Sequence, residues 1–136
     1  MTPDALRAVL RESRTVAVVG LSPNPARPSH SVARYLARVG YHIVPVNPHH
    51  AAILGERCYP SLTAAARDHT IDIVDVFRRS ALAGVVVDEA LALRPRLIWL
   101  QQGVIDPAAA SRAQAAGVPL VMDRCLAVDH QLLEVA

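Results

Sequence analysis

The residues best suited to chemistry follow the first apolar run of the chain. Residues 16–19 are all apolar and end at Gly20, and a loop with Ser22, Arg27 and Ser29 then leads into a helical pattern. The first N–H groups of a helix have no partners within it and lie at the positive end of its dipole, so they attract anions. A serine hydroxyl and an arginine guanidinium add donors for phosphate oxygens. This stretch therefore predicts a phosphate site for a nucleotide-like ligand.

The loop departs from the glycine-rich fingerprint of dinucleotide-binding domains. Ser22 stands where the second glycine is expected, and no third glycine follows. A later apolar run ends in Asn47, where NAD-binding domains carry an acidic residue for the ribose 2′-OH. Both departures weigh against NAD, whereas Arg27 and Arg78 leave NADP open as an alternative.

Alternating strand and helix patterns must position this loop. Strands are predicted over residues 16–19, 41–46, 71–76, 96–100 and 119–122. Runs that are apolar throughout are typical of strands covered on both faces of a parallel sheet. We predict one α/β domain over the whole chain, a Rossmann-like three-layer sandwich. Its five-stranded parallel sheet is expected to have the order 3-2-1-4-5, with strands numbered along the chain.

The helix ends are predicted from their capping residues. N-terminal signals occur at Thr2-Pro3, Ser61, Ser80 and Asp106-Pro107, and C-terminal glycines occur at Gly40 and Gly117. The helix that begins near Ser80 is expected to bury one apolar face. That face consists of Leu82, Val85, Val86, Ala90 and Leu93.

In such sheets, ligands bind outside the carboxyl ends of the strands. The rule gathers five segments at one edge, namely residues 20–22, 47–48, 77–79, 101–103 and 123–124. Two of these residues have a structural alternative, because Arg78 and Arg79 are also candidates to pair with Asp75. Trp99 lies inside an apolar strand and is predicted to belong to the core.

Composition limits the class of protein. The chain has 136 residues, of which 52% are hydrophobic and 19% charged, which excludes a disordered chain. A formal net charge of +2 without any basic run argues against a nucleic-acid partner. No apolar run reaches the roughly 20 residues of a membrane span, and the charged N-terminal residues do not resemble a signal peptide. We expect a cytoplasmic protein with no membrane partner and no metal.

Five ordered motifs resemble those of the small stand-alone CoA-binding proteins. They read GLSPNPARPSHSVARYL, VPVNPHHAAILGERCYPSL, DIVDVFRR, WLQQGV and VMDRC, within residues 15–130. Members of that family are single Rossmann-like domains similar to the CoA-binding domain of the succinyl-CoA synthetase α-subunit. The resemblance implies coenzyme A as the cofactor, bound as CoA or as an acyl-CoA.

The resemblance also implies which residues touch the cofactor. Gly20, Leu21 and Ser22 would lie against the pyrophosphate, with the Ser22 amide among the unpaired donors. Arg27, beside Ser29, would bind a CoA phosphate. The other implied contacts are Val46, Asn47 and Pro48 near the adenosine, Phe77 and Arg78 on the ligand, and Gln101 and Gly103 along the pantetheine arm.

The residues leave different classes of function open. No nucleophile–base pair and no paired carboxylates stand at the predicted edge, which favours a module that binds coenzyme A without catalysis. The alternative is an NAD(P)-binding Rossmann domain that acts as an enzyme or an enzyme subunit and takes its substrate domain from a dimer. A third interpretation is a subunit that docks on a protein partner, or on its own copy, and offers CoA to it.

Cys125 carries a further hypothesis. Because CoA bears a thiol, a mixed disulfide between the cofactor and Cys125 is conceivable. The alternative, which also applies to Cys58, is a half-buried thiol without reactivity.

Overall fold

A five-stranded parallel sheet forms the centre of the protein, seen in a computed structural model that describes residues 1–135. In chain order the elements are α1 (Pro3–Glu12), β1 (Thr15–Val19), α2 (Pro28–Arg38), β2 (His42–Val46), β3 (Ala52–Ile53), β4 (Glu56–Arg57), α3 (Leu62–Ala66), β5 (Ile73–Val76), α4 (Ser80–Ala92), β6 (Leu97–Leu100), α5 (Pro107–Ala115), β7 (Leu120–Val121) and α6 (Leu126–Leu132). The pair β3–β4 is a separate antiparallel hairpin. Across residues 1–135, no helix has the length and apolar character needed to span a membrane.

The sheet has the order β2-β1-β5-β6-β7, and each neighbouring pair runs parallel. A parallel bridge between Val46 and Tyr59 extends the outer side of β2. With this bridge counted as the third strand, the sheet follows the predicted 3-2-1-4-5 pattern, and the Rossmann-like α/β fold is confirmed. The run at 71–76, which we counted as third from the sequence, therefore lies fourth, beside β1.

Apolar side chains pack on both faces of the sheet, which is why its strands show no alternation. Ala17 and Val19 face a cluster that includes α3, α4 and α5, whereas Val16 and Val18 face a cluster that includes α1, α2 and α6. Trp99 is fully buried in the second cluster, as predicted. The fold is thus a three-layer sandwich in which α2 and α6 cover the same face.

Most of the predicted helix ends are confirmed. Thr2, Ser61 and Asp106 accept hydrogen bonds from the N–H groups of the residues three positions later, at 3.1, 3.1 and 3.0 Å. Gly40 and Gly117 have φ values of +110° and +75°, as expected for glycines that end helices.

Two predictions about α4 are wrong. Its N-cap is Arg79, and Ser80 is instead its first residue. Leu82 and Val85 are 43% and 75% exposed, although both were predicted to face the core. The residues of this segment that do contact the core are Ala83, Val86, Val87, Ala90, Leu91 and Leu93. Because α4 is apolar on nearly every side, periodicity alone does not identify the buried face.

Asp75 is fully buried in the middle of the sheet. It lies in register between Val18 of β1 and Trp99 of β6, so its side chain shares their face. Neither carboxylate oxygen has a hydrogen-bond partner, so the predicted pairing with Arg78 or Arg79 is wrong. Burial raises the pKa of Asp75 well above its ordinary value of 3.8.

The raised pKa of Asp75 predicts that the free energy of unfolding falls as pH rises. The unfolded chain loses this proton near the ordinary pKa, whereas the folded protein keeps it, so folding is favoured at lower pH. Above the ordinary pKa, and until the pH reaches the raised pKa of the folded state, this carboxyl contributes a slope of up to ~1.4 kcal/mol per pH unit. We expect Asp75→Asn to remove that slope in urea unfolding. The surface variant Asp88→Asn is the control and should keep the wild-type slope; equal slopes in all three proteins would contradict the assignment.

Candidate functional site

A cavity of about 600 Å³ opens at the carboxyl edge of the sheet. Its lining residues are Gly20, Ser22, Arg27, Pro28, Ser29, Val32, Phe77, Gln101, Gln102, Val104 and Cys125. They come from the segments after β1, β5 and β6, from the first turns of α2, and from the residue before α6. The segments that the sequence places at one edge therefore meet around one cavity.

Gly20 allows the ends of β1 and β5 to approach each other closely. Its φ is +88°, and a side-chain carbon there would overlap the carbonyl oxygen of Phe77. Backbone hydrogen bonds hold both sides of this crossing, since Gly20 N–H donates to the Val46 carbonyl at 2.8 Å and Phe77 N–H donates to the Val19 carbonyl at 2.8 Å. Only glycine fits this position without displacing Phe77, which itself lines the cavity.

The loop after Gly20 is held by its own serines. Ser22 N–H donates to the Ser29 hydroxyl at 3.0 Å, and the Ser22 hydroxyl accepts from Asn24 N–H at 3.1 Å. The Ser22 carbonyl lies 3.0 Å from His30 Nδ1. The Ser22 amide is therefore already partnered, and the expectation that it is an open donor is wrong. Its hydroxyl proton is the donor that Ser22 can still offer to the cavity.

Arg27 stands at the N-terminus of α2 with its side chain exposed. It is the N-cap residue, with extended φ and ψ of −86° and 140°, and Pro28 follows at the first helical position. Among residues 1–135 its guanidinium has no salt-bridge partner. The cavity thus has a guanidinium with all its donors available, next to the positive end of a helix dipole.

Leu21, predicted to lie against the pyrophosphate, and the three residues predicted near the adenosine do not line the cavity. Leu21 and Val46 are buried in the core, at 0% and 2% exposure. Asn47 Nδ2 donates to the Leu21 carbonyl at 3.0 Å, and its Oδ1 accepts from His49 N–H at 3.0 Å. Asn47 therefore ties the end of β2 to the loop after β1, and Pro48 follows it on the exposed surface.

Two other sequence candidates also lie outside the lining. Arg78 is half-buried beside the cavity residue Phe77. Gly103 has a φ of +86°, its N–H donates to Asp123 Oδ1 at 2.7 Å, and its carbonyl accepts from the Ser80 hydroxyl at 3.3 Å. These bonds shape the loop after β6, so Gly103 has a structural role in that turn.

Gln101 and Ser29 are the most enclosed polar residues of the cavity, and each is 4% exposed. Gln101 Oε1 accepts a hydrogen bond from Leu126 N–H at 3.2 Å, which fixes the side chain against the start of α6. Its amide Nε2 has no hydrogen-bond partner within residues 1–135, but this atom is accessible to solvent. The two N–H groups of Nε2 therefore open onto the cavity.

Sequence reasoning missed four of the lining residues as site residues, namely Pro28, Val32, Gln102 and Val104. Pro28 and Gln102 are direct neighbours of predicted residues, so their sequence position was the available signal. Val32 and Val104 are apolar, and nothing in their type separates a cavity wall from the core. Cys125 was singled out from its sequence, and it does line the cavity.

The lining combines hydrogen-bond donors with apolar walls. Arg27, the Ser22 hydroxyl and the N-terminus of α2 form a donor-rich end suited to phosphate oxygens. Phe77 and Val104 supply apolar surface, and the Gln101 amide supplies donors, farther along the sheet edge. Within residues 1–135 the lining contains no histidine or carboxylate that could act as a general base.

Fold and cavity together define a Rossmann-like domain with a cavity at the carboxyl edge of a parallel sheet, where such folds bind their ligands. The chain belongs to the CoA binding domain family, whose model matches residues 14–131. The family resemblance stated from the motifs is thereby confirmed.

Three relatives agree with this assignment over nearly their whole length. The uncharacterized protein YneT of Bacillus subtilis (strain 168) is 38% identical over 125 residues, covering 92% of this chain and 91% of that protein. The solved structure of cell-free ID.343 from Thermus thermophilus is 41% identical, with a TM-score of 0.92, over 98% of this chain and 99% of that one. A hypothetical protein from Pyrococcus horikoshii OT3 is 32% identical, with a TM-score of 0.93, over 98% of this chain and 93% of that one.

The crossing at Gly20 predicts a large effect of one methyl group. Gly20→Ala adds overlap with the Phe77 carbonyl to the strain of a positive φ, so we expect it to lower the free energy of unfolding by about 2–5 kcal/mol. Gly103→Ala is the matched control, since its φ of +86° is nearly the same and nothing lies within 4 Å of the added carbon. Urea unfolding of the two variants should show a larger loss of free energy of unfolding for Gly20→Ala, which has both overlap and strain, than for Gly103→Ala, which has strain alone. Equal losses would show that the crossing tolerates a side chain.

Proposed function

We propose that the protein binds coenzyme A or an acyl-CoA in the cavity at the carboxyl edge of the sheet. The observation that carries the proposal is the free Arg27 guanidinium beside Ser22 at the start of α2, inside a cavity of about 600 Å³. Membership of the CoA binding domain family supports the same ligand. The proposed role is binding, since the cavity lining in residues 1–135 offers no histidine or carboxylate as a general base.

The diphosphate is proposed to lie between Arg27 and the Ser22 hydroxyl. An arginine fork can bind two phosphate oxygens at once, and a helix N-terminus adds favourable dipole charge. The Ser29 hydroxyl has a different task, because it accepts from Ser22 N–H and so fixes the loop that presents these groups. Gly20 and Leu21 also fix this loop. Gly20 allows the close crossing of the strand ends, and the Leu21 carbonyl accepts a hydrogen bond from Asn47.

The two arms of the ligand are proposed to leave the diphosphate in opposite directions. The adenosine arm would run over the end of β2, along Asn47 and Pro48 and above the buried Val46. The pantetheine arm would run past Phe77 to Gln101, with Arg78 and Gly103 beside its route. Neighbouring strands are about 4.8 Å apart, so the ends of β1 and β6 are separated by roughly 10 Å. An extended arm can cross that distance along the cavity.

No observation favours the alternative cofactor NAD. The end of β2 reads Asn47-Pro48-His49-His50, without a carboxylate to bind a ribose 2′-OH. The Asn47 amide is also occupied on both sides, by the Leu21 carbonyl and by His49 N–H.

Coenzyme A is expected to raise the melting temperature of the protein, and NAD is not. A ligand that binds only the folded state stabilises it by about 2.7 kcal/mol at a concentration 100 times its Kd. Differential scanning fluorimetry with CoA, acetyl-CoA, NAD and NADP measures this directly. Stabilisation by NAD or NADP without any effect of CoA would overturn the proposal.

Arg27→Ala is expected to weaken binding of CoA roughly tenfold or more, because a charge-assisted hydrogen bond to phosphate contributes ~1.5–3 kcal/mol. Since Arg27 is proposed to hold the diphosphate, dephospho-CoA should lose affinity by the same factor. Arg34→Ala is the matched control, as Arg34 is exposed on the same helix and does not line the cavity. Titration calorimetry decides the outcome. A loss confined to CoA would assign Arg27 to the 3′-phosphate instead.

A further inference from the structure

Cys125 is the thiol that lines the cavity, on the side formed by the start of α6. It is half-buried, forms no disulfide, and lies immediately before α6, which covers the same face of the sheet as α2. The other cysteine, Cys58, is buried away from the cavity and its thiol donates to the Asn47 carbonyl at 3.3 Å. Burial raises the pKa of Cys58, which opposes reaction there. The two thiols therefore differ in both access and surroundings.

Gln101 independently indicates that a ligand group comes to this side of the cavity. The residue is only 4% exposed, and its side chain is fixed by the hydrogen bond that Oε1 accepts from Leu126 N–H. Its Nε2 donors nevertheless have no partner within residues 1–135. Nε2 is reachable from the cavity, so a carbonyl oxygen of a ligand there can accept a hydrogen bond from it. Leu126 directly follows Cys125, so that carbonyl would lie close to the thiol.

Coenzyme A has the groups that this side of the cavity requires. The pantetheine arm carries two amide carbonyls and ends in a thiol, and it is the arm proposed to run from Arg27 toward Gln101. A carbonyl bonded to Gln101 Nε2 would bring the end of the arm to Cys125. This step rests on the proposed function, because it takes the direction of the arm from the placement of the diphosphate.

We propose that Cys125 is a thiolation site at which the cofactor becomes attached to the protein by a mixed disulfide. The co-reactant is coenzyme A disulfide. The Cys125 thiolate attacks one sulfur of that disulfide, the bond between the two cofactor sulfurs breaks, and a bond forms between Cys125 Sγ and one CoA. The second CoA leaves as a thiolate and takes up the proton that Cys125 released. Coenzyme A disulfide is thus the oxidant of Cys125 and is consumed in the exchange, and a free thiol reverses the reaction.

The attachment would make occupancy of the cavity depend on the thiol–disulfide balance. Reduced CoA exchanges freely with solvent, whereas a disulfide-linked CoA stays in place until a thiol releases it. The protein would then store CoA under oxidising conditions and protect Cys125 from further oxidation.

The test incubates the reduced full-length protein with coenzyme A disulfide and follows intact mass. We expect one CoA adduct per chain, reversed by dithiothreitol, and peptide mapping should locate it on Cys125 without need of a variant. Exchange should be roughly tenfold or more faster than with glutathione disulfide, because binding raises the local concentration of the reacting sulfur. An excess of desulfo-CoA, which lacks the thiol, should slow it.

Variants distinguish disulfide exchange that depends on CoA binding in the cavity from exchange at any accessible thiol. Cys125→Ser should abolish the adduct, and serine is a favoured N-cap, so α6 should keep its start. Cys58→Ser is the matched control and should keep the adduct. Arg27→Ala should reduce the rate with coenzyme A disulfide toward the rate with glutathione disulfide.

The outcomes distinguish this inference from the proposed function. Stabilisation by CoA without an adduct on Cys125 would overturn the thiolation site and leave CoA binding intact. An adduct that forms equally fast with glutathione disulfide would also overturn it, because Cys125 would then be an ordinary accessible thiol. If CoA neither stabilises the protein nor binds in calorimetry, the proposed function itself fails.

Discussion

The crossing of Gly20 under the Phe77 carbonyl is the constraint on which the cavity depends. It brings the ends of β1 and β5 together without an intervening side chain, and hydrogen bonds to the neighbouring strands hold both ends. The loop can then turn directly into α2, which leaves Arg27 at a helix N-terminus and Phe77 as a wall. The bonds from Asn47 to the Leu21 carbonyl and between Ser22 and Ser29 stiffen the same turn.

The fold could be predicted from the sequence because its main signals are local. Runs such as 16–19 are apolar throughout, and caps such as Ser61 and Asp106 satisfy helix donors within three residues. What could not be predicted depends on contacts distant in sequence. The bridge at Tyr59 is a single residue of strand, too short for any pattern, and it shifts the run at 71–76 to the fourth position of the sheet.

The candidate site was predictable only at the level of segments. The rule for parallel sheets gathers the strand ends correctly, but it does not state which side chains face the cavity. Asn47 is predicted as a ligand contact, and the structure shows that its side chain also holds the Leu21 carbonyl. The Ser22 amide looked open and is bonded to Ser29, seven residues later. A polar residue at a strand end has the same sequence appearance whether it binds a ligand or fixes a loop.

Trp99 is the only tryptophan of the 136 residues, and it gives the protein a natural optical reporter. Its ring is fully buried in β6, and its Nε1–H donates to the Arg124 carbonyl at 2.7 Å. Arg124 immediately precedes Cys125, so the indole is hydrogen-bonded to the backbone beside the cavity. Any event that moves the start of α6 would change the emission of this single fluorophore, and occupancy could be read in real time without a label.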